Sequence, residues 1–393
     1  MRILLVSQYY YPERFSVTDI AETLVKLGHD VTVLTGKPNY GFQKILDEYK
    51  HIKYEEINGV KIHRVNVKPR KFSRISIIRN YLSFNINGKR LARKLRENFD
   101  VVLSISLSPV ISISPALLFA RKHKIPCVLY CQDLWPESTV VTGAVKKNSL
   151  MYKILYKWSK AIYEKCDRIV TSSPSFKEYF EKELNIKDKI FNVVNQPILY
   201  SNKHLNPVIY SNKHNLVYAG NIGKLQLTDL LVESMKYVKT EDVRLHLMGM
   251  GSELSQIQEK IKNEHLEDKV VYEGAYPIEK AETFYTNADA LIVSLKNEGY
   301  VGKTIPNKAI QYMKYGRPIL AVAKGDTYDT LNKANGSIFA SEDPKEIAKA
   351  IDKICELKEK DHFGLNNRKY FEEHFTTETL TQLLVDELIS AKK

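Results

Sequence analysis

The chain has 393 residues with a hydrophobic share of 44% and a charged share of 27%, which fits a soluble globular protein with room for two domains, each with its own core. A formal net charge of +13 points to an anionic partner: nucleic acid, an anionic membrane or phosphorylated substrates. Cys127, Cys131, Cys166 and Cys355 have neither zinc-like nor disulfide-framework spacing, which excludes those classes and favours a reducing cytoplasm.

The opening Met1-Arg-Ile-Leu-Leu-Val suits a first buried strand, Ile3–Ser7, better than an export sequence. A tyrosine-rich loop with Pro12 follows, then a helix capped by Ser16 or Thr18 that closes at Gly28, then a strand at Val31–Thr35. Strand, helix, strand is the unit of a parallel sheet, whose ligands sit beyond the carboxyl ends of the strands. A G-x-G-x-x-G dinucleotide fingerprint is missing after the first strand. Further strands are expected at Ile62–Val67, Val101–Ile105, Cys127–Tyr130 and Arg168–Thr171, a doubly wound α/β pattern. The uncharged run Val101–Ala120 has membrane-spanning length, but five serines, Pro109 and Pro115 make it a strand, a loop and a helix start.

Between Lys68 and Arg96 stand ten basic residues and no acidic one, interleaved with Ile75, Ile77, Ile78, Tyr81, Leu82, Phe84 and Ile86. Such a helix can lie on an anionic membrane. It can equally be a solvated basic face with its apolar side in the core. Nucleic acid ranks last, since no recognisable module accompanies the charge. Asp133-Leu-Trp-Pro-Glu137 follows the strand ending at Tyr130. Asp133 is placed either to hydrogen-bond a sugar hydroxyl or simply to cap a turn beside a packed Trp135.

Residues 196–215 lack periodicity and read as a linker. A second α/β unit follows: strand Leu216–Ala219, the glycine loop Gly220-Asn-Ile-Gly-Lys-Leu-Gln226, and a helix over Leu227–Val238. Strand, glycine turn and helix presents backbone N–H groups to phosphate. Further elements follow at Val243–Gly249, Ser252–His265, Val270–Tyr272, Ile278–Asn287 and Ala290–Ser294, with the loop Gly274-Ala-Tyr-Pro277 suited to a base. In Val301–Pro318, Asn307 is expected to cap a helix that begins at Lys308 and stops at Gly316-x-Pro318. Pro318–Ala323 reads as a buried strand, and Thr377–Ala391 as an amphipathic last helix.

Five stretches carry a resemblance: Tyr-Tyr-Tyr-Pro-Glu13, Val-Thr-Val-Leu-Thr-Gly-Lys-Pro-Asn-Tyr40, Gln-Asp-Leu-Trp-Pro-Glu137, Gly220-Asn-Ile-Gly-x-x-Gln226, and Thr304-Ile-Pro-Asn-Lys308 with Tyr312-Met-x-x-Gly316-x-Pro318. With these the chain resembles bacterial family-4 retaining glycosyltransferases of the GT-B type, in the subgroup that builds surface polysaccharide (O-antigen or capsule) and includes N-acetyl-fucosamine transferases. The resemblance implies two Rossmann-like doubly wound domains facing a cleft: an acceptor domain at 1–195, a nucleotide-sugar domain at 216–365, and a segment at 366–393 returning to the first domain. It implies sugar transfer from a nucleotide donor with retention, without a metal and with no cofactor beyond a UDP-sugar co-substrate.

Under that resemblance the donor meets Gly220, Asn221, Gly223, Lys224, Gln226, Gly274, Tyr276, Thr304, Ile305 and Gln311. The acceptor meets Ser16, Val17 and Glu137, near Asp133. Many members carry two glutamates where this chain has Lys303 and Gln311, and an Arg and a Lys where it has Asn221 and Gln226. Lys303, Lys308 and Lys224 must then offset the diphosphate charge, with the Gly223 and Thr304 N–H groups as preorganised donors and Asp133 orienting the acceptor. The implied partners are a UDP-linked N-acetylhexosamine or 6-deoxy form, an undecaprenyl-diphosphate-linked saccharide, and, through Lys68–Arg96, the inner face of the cytoplasmic membrane. A nucleotide-sugar epimerase of the same build, or a non-catalytic binder of nucleotide-sugar or nucleic acid, are the alternatives.

Overall fold

The computed structural model describes residues 1–13, 15–71, 73–194, 206–276 and 278–392. The chain divides into two compact units, Met1–Ile198 with Thr377–Lys393, and Leu199–Thr376.

The first unit holds β1 (Arg2–Val6), β2 (Asp30–Gly36), β3 (Tyr54–Ile57), β4 (Val60–Val65), β5 (Val101–Ser106), β6 (Cys127–Cys131), β7 (Arg168–Thr171) and β8 (Ile190–Val193). They form one sheet in the order β3-β4-β2-β1-β5-β6-β7-β8. Every neighbouring pair is parallel except the β3–β4 hairpin. Ile3 pairs with Val31 on one side and Val101 on the other. Strands such as Val101–Ser106 are buried along their whole length, which is why they read as continuous apolar runs rather than alternating ones.

The second unit holds β9 (His214–Ala219), β10 (Val243–Met248), β11 (Val270–Gly274), β12 (Ala290–Ser294), β13 (Ile319–Val322) and β14 (Ser337–Phe339). Their order, β11-β10-β9-β12-β13-β14, is the doubly wound dinucleotide-fold order. Chain direction across each sheet reverses once, between β1 and β5 and between β9 and β12. Loops leaving those strand pairs part from each other, and that crevice is where such sheets bind ligands.

The Thr377–Ala391 helix packs on β6, β7 and the Ser16–Lys26 helix of the first unit through buried Leu380, Leu384, Val385 and Leu388. Glu387 adds a 2.7 Å ion pair with Arg168. The returning segment therefore begins at Thr377 and not at residue 366. Lys360–His374 is one helix, tied to the second unit by Asn367, whose Nδ2 donates to the Arg317 and Gly336 carbonyls at 3.0 and 2.7 Å. Of the expected linker, 196–205 lie outside the described residues. Residues after it already belong to the second unit: Val208 N–H donates to the Thr283 carbonyl and the Tyr210 hydroxyl to the Phe284 carbonyl.

Three strands were not anticipated: β3, β8 and β14. The first is the outer arm of a hairpin turned by Asn58 and Gly59, both at positive φ (52° and 78°), the Asn-Gly signature of a tight primed turn. The helix after the glycine loop is shorter than expected, Thr228–Ser234, because Leu227 is left-handed at φ 51°. Asn307 does not cap its helix. It is the first helical residue, Pro306 holds the cap position, and no side chain closes that end.

Candidate active site

In the second unit the ends of β9, β10 and β11 are laced together. Gly220 N–H donates to the Met248 carbonyl at 3.0 Å, Ile222 N–H to Met250 at 2.9 Å, and Gly249 N–H to Gly274 at 3.0 Å. The approach demands glycine: a β-carbon on Gly249 would lie 1.8 Å from the Gly220 carbonyl oxygen. Within the loop, Asn221 Nδ2 donates to Gln226 Oε1 at 2.9 Å. A β-carbon on Gly223 would meet both of those atoms under 3.0 Å. Asn221 and Gln226 are thus partners of each other across Gly223.

Lys308 lies in the first turn of the Asn307–Met313 helix. Its Nζ sits 3.8 Å from the centre of the Tyr218 ring and against the Gly220 backbone. It is enclosed and has no hydrogen-bond partner, and burial alone pulls its ammonium down to about 7. One helical turn on, Gln311 Nε2 is enclosed and unpartnered as well. Residues three apart share a helix face, so two unused donors point the same way. A buried cation without a counter-ion is costly, and an anion at this face would offset that cost. Tyr312 anchors the helix to β9: its hydroxyl accepts from Ala219 N–H at 2.9 Å and donates to the Ala219 carbonyl at 3.0 Å.

The other expected donor residues fall around this face with altered roles. Thr304 gives its hydroxyl (2.9 Å) and its N–H (3.4 Å) to the Val301 carbonyl, closing the turn instead of offering the free N–H expected of it. Its own carbonyl accepts from Thr327. Lys303 ends that turn with Nζ 5.8 Å from the Tyr300 ring, and Ile305 packs against the core. Lys224 and Asn221 are exposed. Gly274, at φ 100°, ends β11. Tyr276 stacks on Phe284 and carries Lys280 Nζ 3.7 Å from its ring centre.

In the first unit a polar and aromatic cluster covers the loops leaving β1, β2, β4, β5 and β6. Asn80 is its hub. Its Oδ1 accepts from Gln8 at 2.7 Å, and its Nδ2 donates to Asn39 Oδ1 at 3.0 Å and to the Lys68 carbonyl at 2.6 Å. Glu13 Oε1 accepts the N–H groups of Asn39 and Tyr40 at 2.6 and 2.5 Å. Its Oε2 is enclosed and unpartnered, and burial raises the carboxyl to about 7. Arg70 stacks over Tyr40 (4.8 Å) and Tyr81 (5.5 Å), and its Nη1 donates to the Tyr9 hydroxyl at 3.1 Å. Tyr81 lies between Arg70 on one side and Ser108 and Asp133 on the other. Asp133 is also pushed to about 7 by burial, which outweighs the Ser108 and Ser138 hydroxyls and the Leu134 N–H that favour its anion.

Three expected acceptor residues are committed to the protein. Val17 is wholly buried and can offer only its backbone. Ser16 exchanges a hydrogen bond with Gln132 at 3.2–3.3 Å. Glu137 is buried, accepts from the Tyr152 hydroxyl and lies 3.7 Å from Lys147 Nζ. Sequence reasoning missed Arg70, which it folded into a charge run, and left Tyr9, Glu13, Asn39 and Tyr40 without a role, although the stretches that hold those four were conspicuous. Tyr218 and Asn80 give no signal in sequence. Among the described residues no group of three His, Cys, Asp or Glu side chains is arranged to hold a metal ion.

Residues 15–196 match the family model for Glycosyltransferase Family 4, and residues 213–356 that for Glycosyl transferases group 1. Its two units have the fold of the GT-B glycosyltransferases. It is 28% identical over 277 residues to the Probable glycosyltransferase WbjE of Pseudomonas aeruginosa, a match that spans 66% of each chain, just under two thirds. The fold is shared with sucrose-phosphate synthase of Thermosynechococcus elongatus, at a TM-score of 0.76 and 17% identity over 100% of both chains. It is shared too with Anabaena HepE, solved in complex with UDP, at 0.71 and 12% identity over 99% of this chain and 100% of that one.

Proposed function

We propose that this GT-B protein is a retaining glycosyltransferase that moves a sugar from a UDP-sugar to a lipid-diphosphate-linked saccharide during polysaccharide repeat-unit assembly. The observation that carries this reading is Lys308, an enclosed cation with no counter-ion set against the Gly220 loop. A nucleotide diphosphate supplies the missing charge. As the bond from the anomeric carbon to the diphosphate oxygen breaks, negative charge builds on the leaving group, and a preorganised Lys308 stabilises it. The acceptor hydroxyl bonds to the same face of the anomeric carbon, its proton passes to the departing phosphate, and UDP leaves. Asp133 orients the acceptor. Lys308 does the work that relatives give to an Arg and a Lys, so the reaction as proposed needs no metal. By resemblance the sugar is an N-acetylhexosamine or its 6-deoxy form, such as N-acetyl-fucosamine.

A membrane-borne acceptor is supported by the surface of the first unit. The Arg74–Lys94 helix buries Asn80, Phe84, Asn85 and Gly88 while leaving Ile75 70%, Ile78 56%, Leu82 45% and Ile86 48% exposed. The apolar side of the basic stretch thus faces out, against the alternative of burial in the core. The Leu150–Tyr163 helix exposes Leu150, Met151, Ile154 and Trp158, carries Lys153, Lys157 and Lys160, and has no acidic residue. Apolar side chains ringed by cations suit an anionic bilayer surface. No described helix is long and apolar enough to cross one.

The test is a turnover assay with EDTA present, a panel of UDP-sugars and a polyprenyl-diphosphate-linked monosaccharide in phosphatidylglycerol vesicles. UDP release that requires the acceptor supports the proposal. Conversion of a UDP-sugar without acceptor, or no turnover with any donor, sinks it.

A further inference from the structure

Among the described residues Arg70 forms no ion pair with a carboxylate. The groups that bear most on it are the Tyr9, Tyr81 and Tyr40 rings. Glu13, which shares Tyr9 as a neighbour, has its carboxyl raised to about 7 by burial and spends Oε1 on two backbone N–H groups. The contrast with Arg64 is informative. Arg64 is buried against Glu55, stacks on Tyr49 and has its spare Nη1 sealed from solvent. Its charge is already paired with Glu55 inside the fold. Arg70 is fixed just as firmly, by Tyr9, by two rings and by its N–H to Asn39 Oδ1 at 3.0 Å. Among the described residues, however, its Nε and Nη2 find no hydrogen-bond partner, and neither is among the sealed side-chain atoms. A rigid fork of guanidinium donors, open on one side and lacking a counter-ion, matches a phosphate oxygen pair.

We propose that Arg70 is the acceptor-side anion site, taking a phosphate or diphosphate on the acceptor while Asp133 holds its hydroxyl. Tyr81 spans the two, lying 5.5 Å from the Arg70 guanidinium and beside Ser108 and Asp133. The substrate class is therefore a glycosyl phosphate or diphosphate whose first sugar, the one next to the anion, bears the reacting hydroxyl. This deepens the transferase reading and rests on it. The same anion chemistry is offered by a lipid-linked diphosphate and by a free phosphate.

The experiment is isothermal titration of the full chain, with UDP saturating, by farnesyl diphosphate, farnesol and inorganic pyrophosphate, for wild type, Arg70→Gln and Arg70→Lys. Wild type binds farnesyl diphosphate and not farnesol. Arg70→Gln binds it at least tenfold more weakly and Arg70→Lys falls between, while UDP affinity and melting temperature stay unchanged in both. Farnesyl diphosphate binding more tightly than pyrophosphate, with both dependent on Arg70, marks a lipid source; equal affinity marks a free anion. The same affinity for farnesyl diphosphate in wild type and both variants overturns the Arg70 assignment and leaves the donor reading standing. A chain that binds no UDP sinks the donor reading instead. A fall in melting temperature that accompanies any loss in both variants assigns Arg70 to the fold and also overturns the site.

Discussion

Two side chains carry opposite charges and are driven toward the same pH by the same cause. Burial pulls Lys308 down to about 7 and pushes Asp133 up to about 7. Between about pH 4 and 7 the folded chain keeps a proton on Asp133 that the unfolded chain releases, so this group's contribution to stability falls as pH rises through that window. Between about 7 and 10.5 the unfolded chain holds a proton that Lys308 has lost, and stability recovers as pH rises. Both groups are therefore held at a cost that a ligand removes. If Asp133 orients the acceptor as proposed, its ionised form is the stronger hydrogen-bond acceptor for the hydroxyl. The kcat/KM for acceptor should show an acidic limb with an apparent pKa near 7. Asp133→Asn should lose that limb and about 10²-fold in rate, the size of effect misplacing a reacting group produces. A limb that survives the substitution would assign it to another group, with Glu13 the first to examine.

At the scale of elements, strand ends do the positioning. Tyr312 holds the Lys308 helix against the last residue of β9, through two bonds to Ala219. Tyr312→Phe leaves two buried backbone groups without partners, at about 1–3 kcal/mol each. For a unit of this size each kcal/mol lowers the melting temperature by about 2–4 °C. Thermal unfolding should show that loss, and UDP affinity should fall with it because Gly220 follows directly. An unchanged melting temperature would mean the loop is held by its β10 bonds alone. Elements with strong patterns were legible: the doubly buried strands as apolar runs, the glycine loop, and the final helix with its leucines. Strand β3 was not, since a half-exposed edge strand of four residues carries no apolar run, and only Asn58-Gly59 marked it. The expected cap at Asn307 failed because Pro306 already fixes the entry to the helix.

Across the whole chain, the doubly wound character of both sheets follows from strand–helix alternation, and in each unit the candidate residues lie on loops and helices that follow that unit's own strands. That much is readable from sequence, and the motifs that hold Lys308 and Asp133 were conspicuous in it. Partners distant in sequence were not readable. Lys308 finds Tyr218 and Gln8 finds Asn80 seventy-two positions away, because tertiary packing and not periodicity brings them together. Composition gave the sign of the surface charge but not its geometry. That Ile75, Ile78 and Ile86 of Arg74–Lys94 face out while Asn80 and Asn85 face in reverses what amphipathic periodicity leads one to expect of a core-packed helix.

The measurement that bears most directly on the donor site is thermal unfolding of wild type and Lys308→Met, each with and without UDP and without added metal, at pH 6 and pH 9. At a fixed UDP concentration 100 times its dissociation constant at pH 6, UDP should stabilise the wild type by about 2.7 kcal/mol at pH 6, where the ammonium is already charged, and by less at pH 9. The methionine variant should melt higher than the wild type in the absence of UDP, since its buried charge is gone, and should respond weakly to UDP with no pH dependence. A variant that melts lower than wild type and shifts with UDP as fully as wild type does would show that Lys308 serves the fold and that the diphosphate lies elsewhere.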